Sequence, residues 1–197
     1  TYYENINFNG KNISVIGENR ETTVIDGGGV ARVVVFEGEE NELALLQGFT
    51  IQNGLVVGTG EGAGGAGIYC NNSHPRLQSL IVQNNSSAHD GGGIMLFYSD
   101  AILEDLIIRN NETTGASSGG GIAFHHSSSI LSNILVENNI TSNYGGGLAF
   151  GNSWLNFDKI TIVNNTANAE GGGIISDHFN FTLTNSIVWN NTPQSAF

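Results

Sequence analysis

Aligned on a glycine triplet that recurs along the chain, Asn71, Phe97, His125, Gly151 and Asp177 fall in one column and Asn72, Tyr98, His126, Asn152 and His178 in the next. Imidazoles beside a carboxylate are the groups that move protons near neutral pH, so His125, His126, Asp177 and His178 form the candidate catalytic set. Tyr98 offers an aromatic face for a sugar ring, and Asn152 joins it as a candidate substrate-binding residue. Gly151 leaves a notch between His125 and Asp177, which parallel strands two coils apart would separate by about 9.6 Å. That gap admits a sugar ring. It is too wide for one shared ion, so no metal site is assigned to it. The competing reading is a solvated corner that tolerates any polar residue.

Other charged groups are weaker candidates. Asp90 and Glu170 each precede a glycine triplet, but Ser118 and Tyr144 break the carboxylate column that a calcium site would need. The run Glu37, Glu39, Glu40 and Glu42 can attract calcium, yet it lacks the pattern of calcium-binding β-rolls and reads as a solvated turn. Calcium is thus the only cofactor to consider, and none is required. Arg109 is expected to pair with Glu137 on the surface, an ion pair of small energetic weight.

Six Lys and Arg against eighteen Asp and Glu give a net charge of -12, which repels a phosphate backbone and an anionic lipid surface alike. Nucleic acid and membrane insertion are both disfavoured, since no apolar run approaches the roughly 20 residues of a spanning helix. The single Cys70 cannot form an internal disulfide, and no signal peptide opens the chain. With only 12% charged residues and 28 Gly in 197, the composition points to strands and tight turns within one domain.

The elements that position these residues come from the repeat. The third glycine of each triplet is Gly67, Gly93, Gly121, Gly147 and Gly173, and an asparagine marker keeps the same steps at Asn84, Asn110, Asn138, Asn164 and Asn190. Steps of 26, 28, 26 and 26 residues imply one coil per repeat. Each coil reads as three short strands: one after the glycines ("GIMLF", "GIAFH"), one centred on Leu77, Leu103, Leu131, Phe157 and Leu183, and one ending in the asparagines ("LIVQNN", "LIIRNN"). The predicted fold is all-β, a single parallel β-helix over 1–197, less regular over 1–62 and regular over 63–197.

In such a coil like residues stack in columns about 4.8 Å apart. The marker asparagines are expected to point inward as a hydrogen-bonded ladder, and the third glycines to serve corners where a Cβ would clash. Alternation turns Leu80, Val82, Leu106, Ile108, Ile134, Val136, Ile160 and Ile162 inward. It leaves an outward apolar stripe of Ile81, Ile107, Leu135 and Ile187, joined by Val163 and Trp189, as a candidate interface. The terminal residues Tyr2, Tyr3 and Ile6 join it, because the edge of one coil can template the next copy. Among the sequons, Asn111 and Asn139 are expected to face out as candidate glycosylation sites.

The series "TYYENINFNGKNISVIG", "TVIDGGG", "GFTIQNG" and repeated "GGGI…NN" resembles the right-handed parallel β-helix proteins of the pectate-lyase-like superfamily. Within them it is most similar to bacterial secreted and cell-surface repeat proteins, and its "FTIQN" pairing is similar to repeats of polymorphic outer-membrane adhesins. The resemblance implies an extracellular or cell-surface structural or adhesive module without catalysis that contacts surface glycans and proteins, and the open strand edges of the end coils add an expectation of end-to-end assembly into filaments. The alternative it implies is a polysaccharide-acting, pectate-lyase-like enzyme or glycan-binding module.

Overall fold

The computed structural model describes residues 1–58, 64–177 and 181–194. Among them there is no helix, and the chain winds into a parallel β-solenoid of about seven turns, with coils about 26 residues apart. Three parallel sheets run along it. Sheet A is built on the long strands Arg76–Gln83, Ile102–Arg109, Ile130–Glu137 and Leu155–Val163. Sheet B carries Ile68–Asn71, Ile94–Phe97, Ile122–His125, Leu148–Gly151 and Ile174–Ser176. Sheet C consists of two-residue strands, among them Ser86–Ser87, Glu112–Thr113 and Ile140–Thr141.

The three strands per coil are apportioned differently from the sequence expectation. The second and third expected strands are one strand of sheet A, bent at a single left-handed residue: Ser79, Asp105, Asn133 or Lys159. The real third strand follows the asparagine pair and is too short, and too polar, to leave a hydrophobic signature. The columns themselves hold. Leu77, Leu103, Leu131, Phe157 and Leu183 stand in register, as do Leu80, Leu106, Ile134 and Ile160. These rows close a continuous apolar core, extended at the first coils by Phe8 packed on Phe36.

The asparagine ladder is displaced by one residue from the expected positions. Asn84, Asn110, Asn138, Asn164 and Asn190 are exposed and left-handed, with φ between 53° and 57°. Turning the chain at that residue resets the alternation, so the second asparagine of each pair faces in. Asn85 donates from its backbone N–H (3.1 Å) and its Nδ2 (2.9 Å) to Asn111 Oδ1, and Asn111 does the same to Asn139 Oδ1. Asn139 continues to Asn165, and Asn165 to Asn191. Asn111 and Asn139, expected on the surface as glycosylation candidates, are 1% and 0% exposed and closed to modification.

The glycine corners divide the two roles that sequence reasoning gave to one residue. The first glycine of the triplet takes the positive φ, +70° at Gly91 and +71° at Gly119. The third is needed for close approach, since a Cβ on Gly93 would lie 2.7 Å from Gly121 O and 2.9 Å from Asn111 Nδ2. Gly67, Gly121 and Gly147 meet the same contacts, and Gly173 accepts the N–H of Leu148.

Ile81 does not belong to an exposed stripe, being 2% exposed. The segment between Ser14–Ile16 and Val24–Asp26 replaces the one-residue bend of later coils with a loop folded over the outside of sheet A. Its Arg20 carbonyl accepts from Thr50 Oγ1 at 2.6 Å, and its guanidinium reaches Asp105, donating to the carbonyl at 2.9 Å and standing 3.2 Å from the carboxylate. Thr50 is the register neighbour of Ile81, so the loop passes over Ile81 on its way to Asp105. Ile107, Leu135 and Val163 are half-buried, and Ile187 and Trp189 are 58% and 74% exposed.

Candidate functional site

The outer face of sheet B carries the concave polar site. Alternation sends the first and third residues of each strand into the core (Ile94 and Leu96, Ile122 and Phe124) and the second and fourth outward. The outward rows are Tyr69, Met95, Ala123, Ala149 and Ile175, and then Asn71, Phe97, His125, Gly151 and Asp177. The corner before the glycines adds Asp90, Ser118, Tyr144 and Glu170 on the same side. Together these rows enclose a cavity of about 290 Å³, floored by Ala149 and Ile175 and rimmed by Asp90, His125, Tyr144, Glu170 and Asp177.

His125 is oriented inside this cavity. Its Nε2 lies 3.0 Å from Asp90 Oδ2, while Asp90 Oδ1 accepts the Ser118 N–H at 2.6 Å. With Asp90 ionised the proton of the neutral imidazole belongs on Nε2, which leaves Nδ1 an acceptor. Across the notch, a Cβ on Gly151 would stand 2.9 Å from Asp177 Oδ2 and 3.9 Å from His125 Nδ1. Chemically, the arrangement can accept hydrogen bonds from a ligand hydroxyl, or a proton from one.

The columns named from the sequence are thus partly reunited. His125 and Asp177 meet across Gly151, and Asp90, taken for part of a broken calcium column, proves to be the group that orients the imidazole. His126 points away from the cavity, stacked on Tyr98 with ring centroids 4.6 Å apart and planes 3° apart. His178 lies outside the described residues. Asn152 is exposed at the same corner, one coil beyond His126. Arg109 donates from Nε to Gln83 Oε1 at 3.0 Å in place of the expected pairing with Glu137. Among the described residues no group of three or more His, Cys, Asp or Glu is placed to hold a metal ion.

Beneath the same corner runs a second ladder that the sequence reading missed. Tyr98, His126 and Asn152 are left-handed (φ 49°, 52° and 50°), and the serine after each faces in. Ser73 N–H donates to Ser99 Oγ, Ser99 N–H to Ser127 Oγ, and Ser127 N–H to Ser153 Oγ, at 3.0 to 3.2 Å. Its signal in the sequence is a Ser two residues beyond each outward residue that ends a strand of sheet B: Asn71, Phe97, His125 and Gly151. The ladder ends on Glu40, whose carboxylate accepts from Ser73 Oγ (2.7 Å), Gly10 N–H (2.8 Å) and Gly38 N–H (2.9 Å). Glu40 is 0% exposed, so the acidic run read as a solvated turn contains a buried structural anchor. Burial alone would push its carboxyl up, but these hydrogen bonds outweigh burial and hold it below the usual glutamate range. Asp26 is a similar case: burial would raise its carboxyl, and donors from Gln52, Gly28 and Asn53 bring it down.

No protein-family model, curated protein or solved structure matches the chain. Its class therefore rests on its architecture, that of a parallel β-solenoid repeat protein.

Proposed function

We propose that the chain is an adhesive module of an extracellular or cell-surface protein, a non-catalytic solenoid of the right-handed pectate-lyase-like kind that binds glycans along the outer face of sheet B. One observation carries this reading: the cavity around Gly151 combines an apolar floor with converging polar groups, the composition of a small-ligand site. At the next corner, facing away from the cavity, the stacked Tyr98 and His126 rings offer a separate aromatic surface on which a sugar ring can stack. The oriented His125 also suits the enzyme alternative, and release of reducing ends or unsaturated uronate from a polysaccharide would replace the non-catalytic reading. The direct test is retention of the purified protein on an immobilised glycan array. Retention that is lost on substituting Tyr98 and His125 supports the reading; uniform absence of retention ends it.

A second reading, self-association through the terminal coils, is favoured by the mouth of the first coil. A cavity of about 510 Å³ opens there between Tyr2, Ile6, Val15, Ile25 and Phe49, all bearing apolar surface. Tyr3 is 78% exposed beside it, and the last coil displays Trp189. Sedimentation velocity across a concentration series, with Ile6→Asp as the control, would report end-to-end assembly as a concentration-dependent species lost in the variant.

A further inference from the structure

In a column that otherwise carries Asn, Phe, His and Asp, Gly151 is the coil with no side chain. Asp177 and His125 both approach the space it leaves, since a Cβ there would stand 2.9 Å from Asp177 Oδ2 and 3.9 Å from His125 Nδ1. The imidazole is held at that angle by Asp90, which is held in turn by the Ser118 N–H. With the imidazole neutral and its proton turned to Asp90, a ligand group entering the notch faces two acceptors, a carboxylate oxygen and a ring nitrogen, and has to bring the protons itself. Hydroxyls and ammonium groups do so.

The surroundings narrow the class further. Ala149 and Ile175 give a flat apolar floor suited to the C–H face of a sugar ring, with Tyr144 as a wall. Asp90, Glu170 and Asp177 line the cavity, and none of the six Lys and Arg of the chain does. A uronate carboxylate entering this space would meet like charges and, among the described residues, no Lys or Arg, a repulsive element that discriminates against it.

We propose that the notch at Gly151 is a subsite for a non-anionic sugar ring, one donor group of which bridges Asp177 Oδ2 and His125 Nδ1. The inference rests on the adhesive reading and gives it a ligand class: neutral or amino-sugar chains, with polyuronates excluded.

Gly151 itself is the position to change. A Cβ there meets the end of the Asp177 side chain before any main-chain atom, so Gly151→Ala fills the notch and leaves the coil intact. Calorimetric titrations with neutral β-glucan oligosaccharides, chitosan oligomers and oligogalacturonate, on the unaltered protein and on Gly151→Ala and Asp177→Asn, form the test. The expected result is binding of at least one non-anionic chain, weakened tenfold or more by Gly151→Ala at an unchanged melting temperature. Asp177→Asn tells the two donors apart: an ammonium ligand loses most of its affinity, whereas a hydroxyl ligand, still able to use the amide oxygen, loses several-fold. Full affinity in Gly151→Ala overturns the subsite. Binding of oligogalacturonate alone overturns the ligand class and leaves the adhesive reading standing. If no glycan on the array retains the protein, the adhesive reading falls and takes the subsite with it.

Discussion

At the corner after sheet A the chain reads Asn-Asn in five successive coils, from Asn84–Asn85 to Asn190–Asn191; at the corner after sheet B the equivalent left-handed residue is Asn72, then Tyr98, His126 and Asn152. Both corners use one backbone device, a left-handed residue facing solvent followed by a polar residue facing in. Both inward residues form ladders, asparagines at the first corner and serines at the second. They differ on the outside. The first corner repeats Asn, a side chain that tolerates a left-handed turn well, whereas the second also places there a His and a Tyr, and the Tyr is a bulky residue strained in that conformation. A stacked coil requires its inward columns to stay uniform, because each side chain is its neighbour's hydrogen-bond partner. Outward columns carry no such requirement, and a change of residue there marks where the surface serves something other than the fold.

The largest effect should come from breaking the uniform column. Asn139 accepts two donors from Asn111 and gives its own amide to Ile108 O and Asn165 Oδ1. Asn139→Ala would strand several buried groups and lower stability by about 3 kcal/mol, seen as a fall in urea midpoint at unchanged slope. Its exposed neighbour is the control: Asn138→Gly keeps the left-handed turn open and should change stability by less than about 0.5 kcal/mol. Equal losses at both positions would dissolve the distinction between inner and outer columns.

Next in size is the end of the serine ladder. Glu40 and Asp26 both have carboxyls held below their unfolded values of 4.5 and 3.8, so the folded state binds fewer protons than the unfolded one in acid. Their stabilisation is complete above those unfolded values and is lost as pH falls through the lower folded ones. Unfolding free energy should therefore be insensitive to these groups at neutral pH and decline below about pH 4.5. Glu40→Gln turns an amide donor toward a site of three donors, which should cost about 2 kcal/mol at pH 7 and flatten the acid decline. A variant that keeps the full acid slope would remove Glu40 as the ladder's anchor.

These ladders also show where sequence legibility begins and ends. The period, the parallel stacking and the core rows are readable because nearly every coil repeats a large apolar residue in the same place, so five imperfect copies reinforce one another. Strict alternation then put the inward ladder at Asn110 when it is at Asn111, because a left-handed residue advances the chain by one position without the reversal of face that alternation assumes. Sheet C escaped notice since Ser86–Ser87 and Glu112–Thr113 have neither length nor apolar content. Within the site, His125, Gly151 and Asp177 were legible as one column. Asp90 was not, since the fold joins it to His125 across 35 residues and two different columns. The Arg20 loop had no repeat to be aligned with at all.

That loop supplies a smaller test of what outward columns owe to the fold. Arg20→Ala removes a partly exposed ion pair and a hydrogen bond to the Asp105 carbonyl, for about 1 kcal/mol, and frees the loop to leave Ile81. Hydrogen exchange should then rise in the loop while the inner ladders remain protected.

The smallest expected change in stability is also the sharpest probe of the variable corner. Tyr98→Asn restores the residue type found in this column at Asn72 and Asn152, and releases left-handed strain worth about 1 kcal/mol. It also removes the stack on His126, worth about 0.5–1.5 kcal/mol. The two terms nearly cancel, so the melting temperature should stay within a degree or two while retention on the glycan array drops. If Tyr98→Asn instead stabilises the protein with retention intact, the aromatic pair is a tolerated irregularity. The second corner then differs from the first in residue type alone, and the outer face of sheet B has to find its purpose in the Gly151 notch without it.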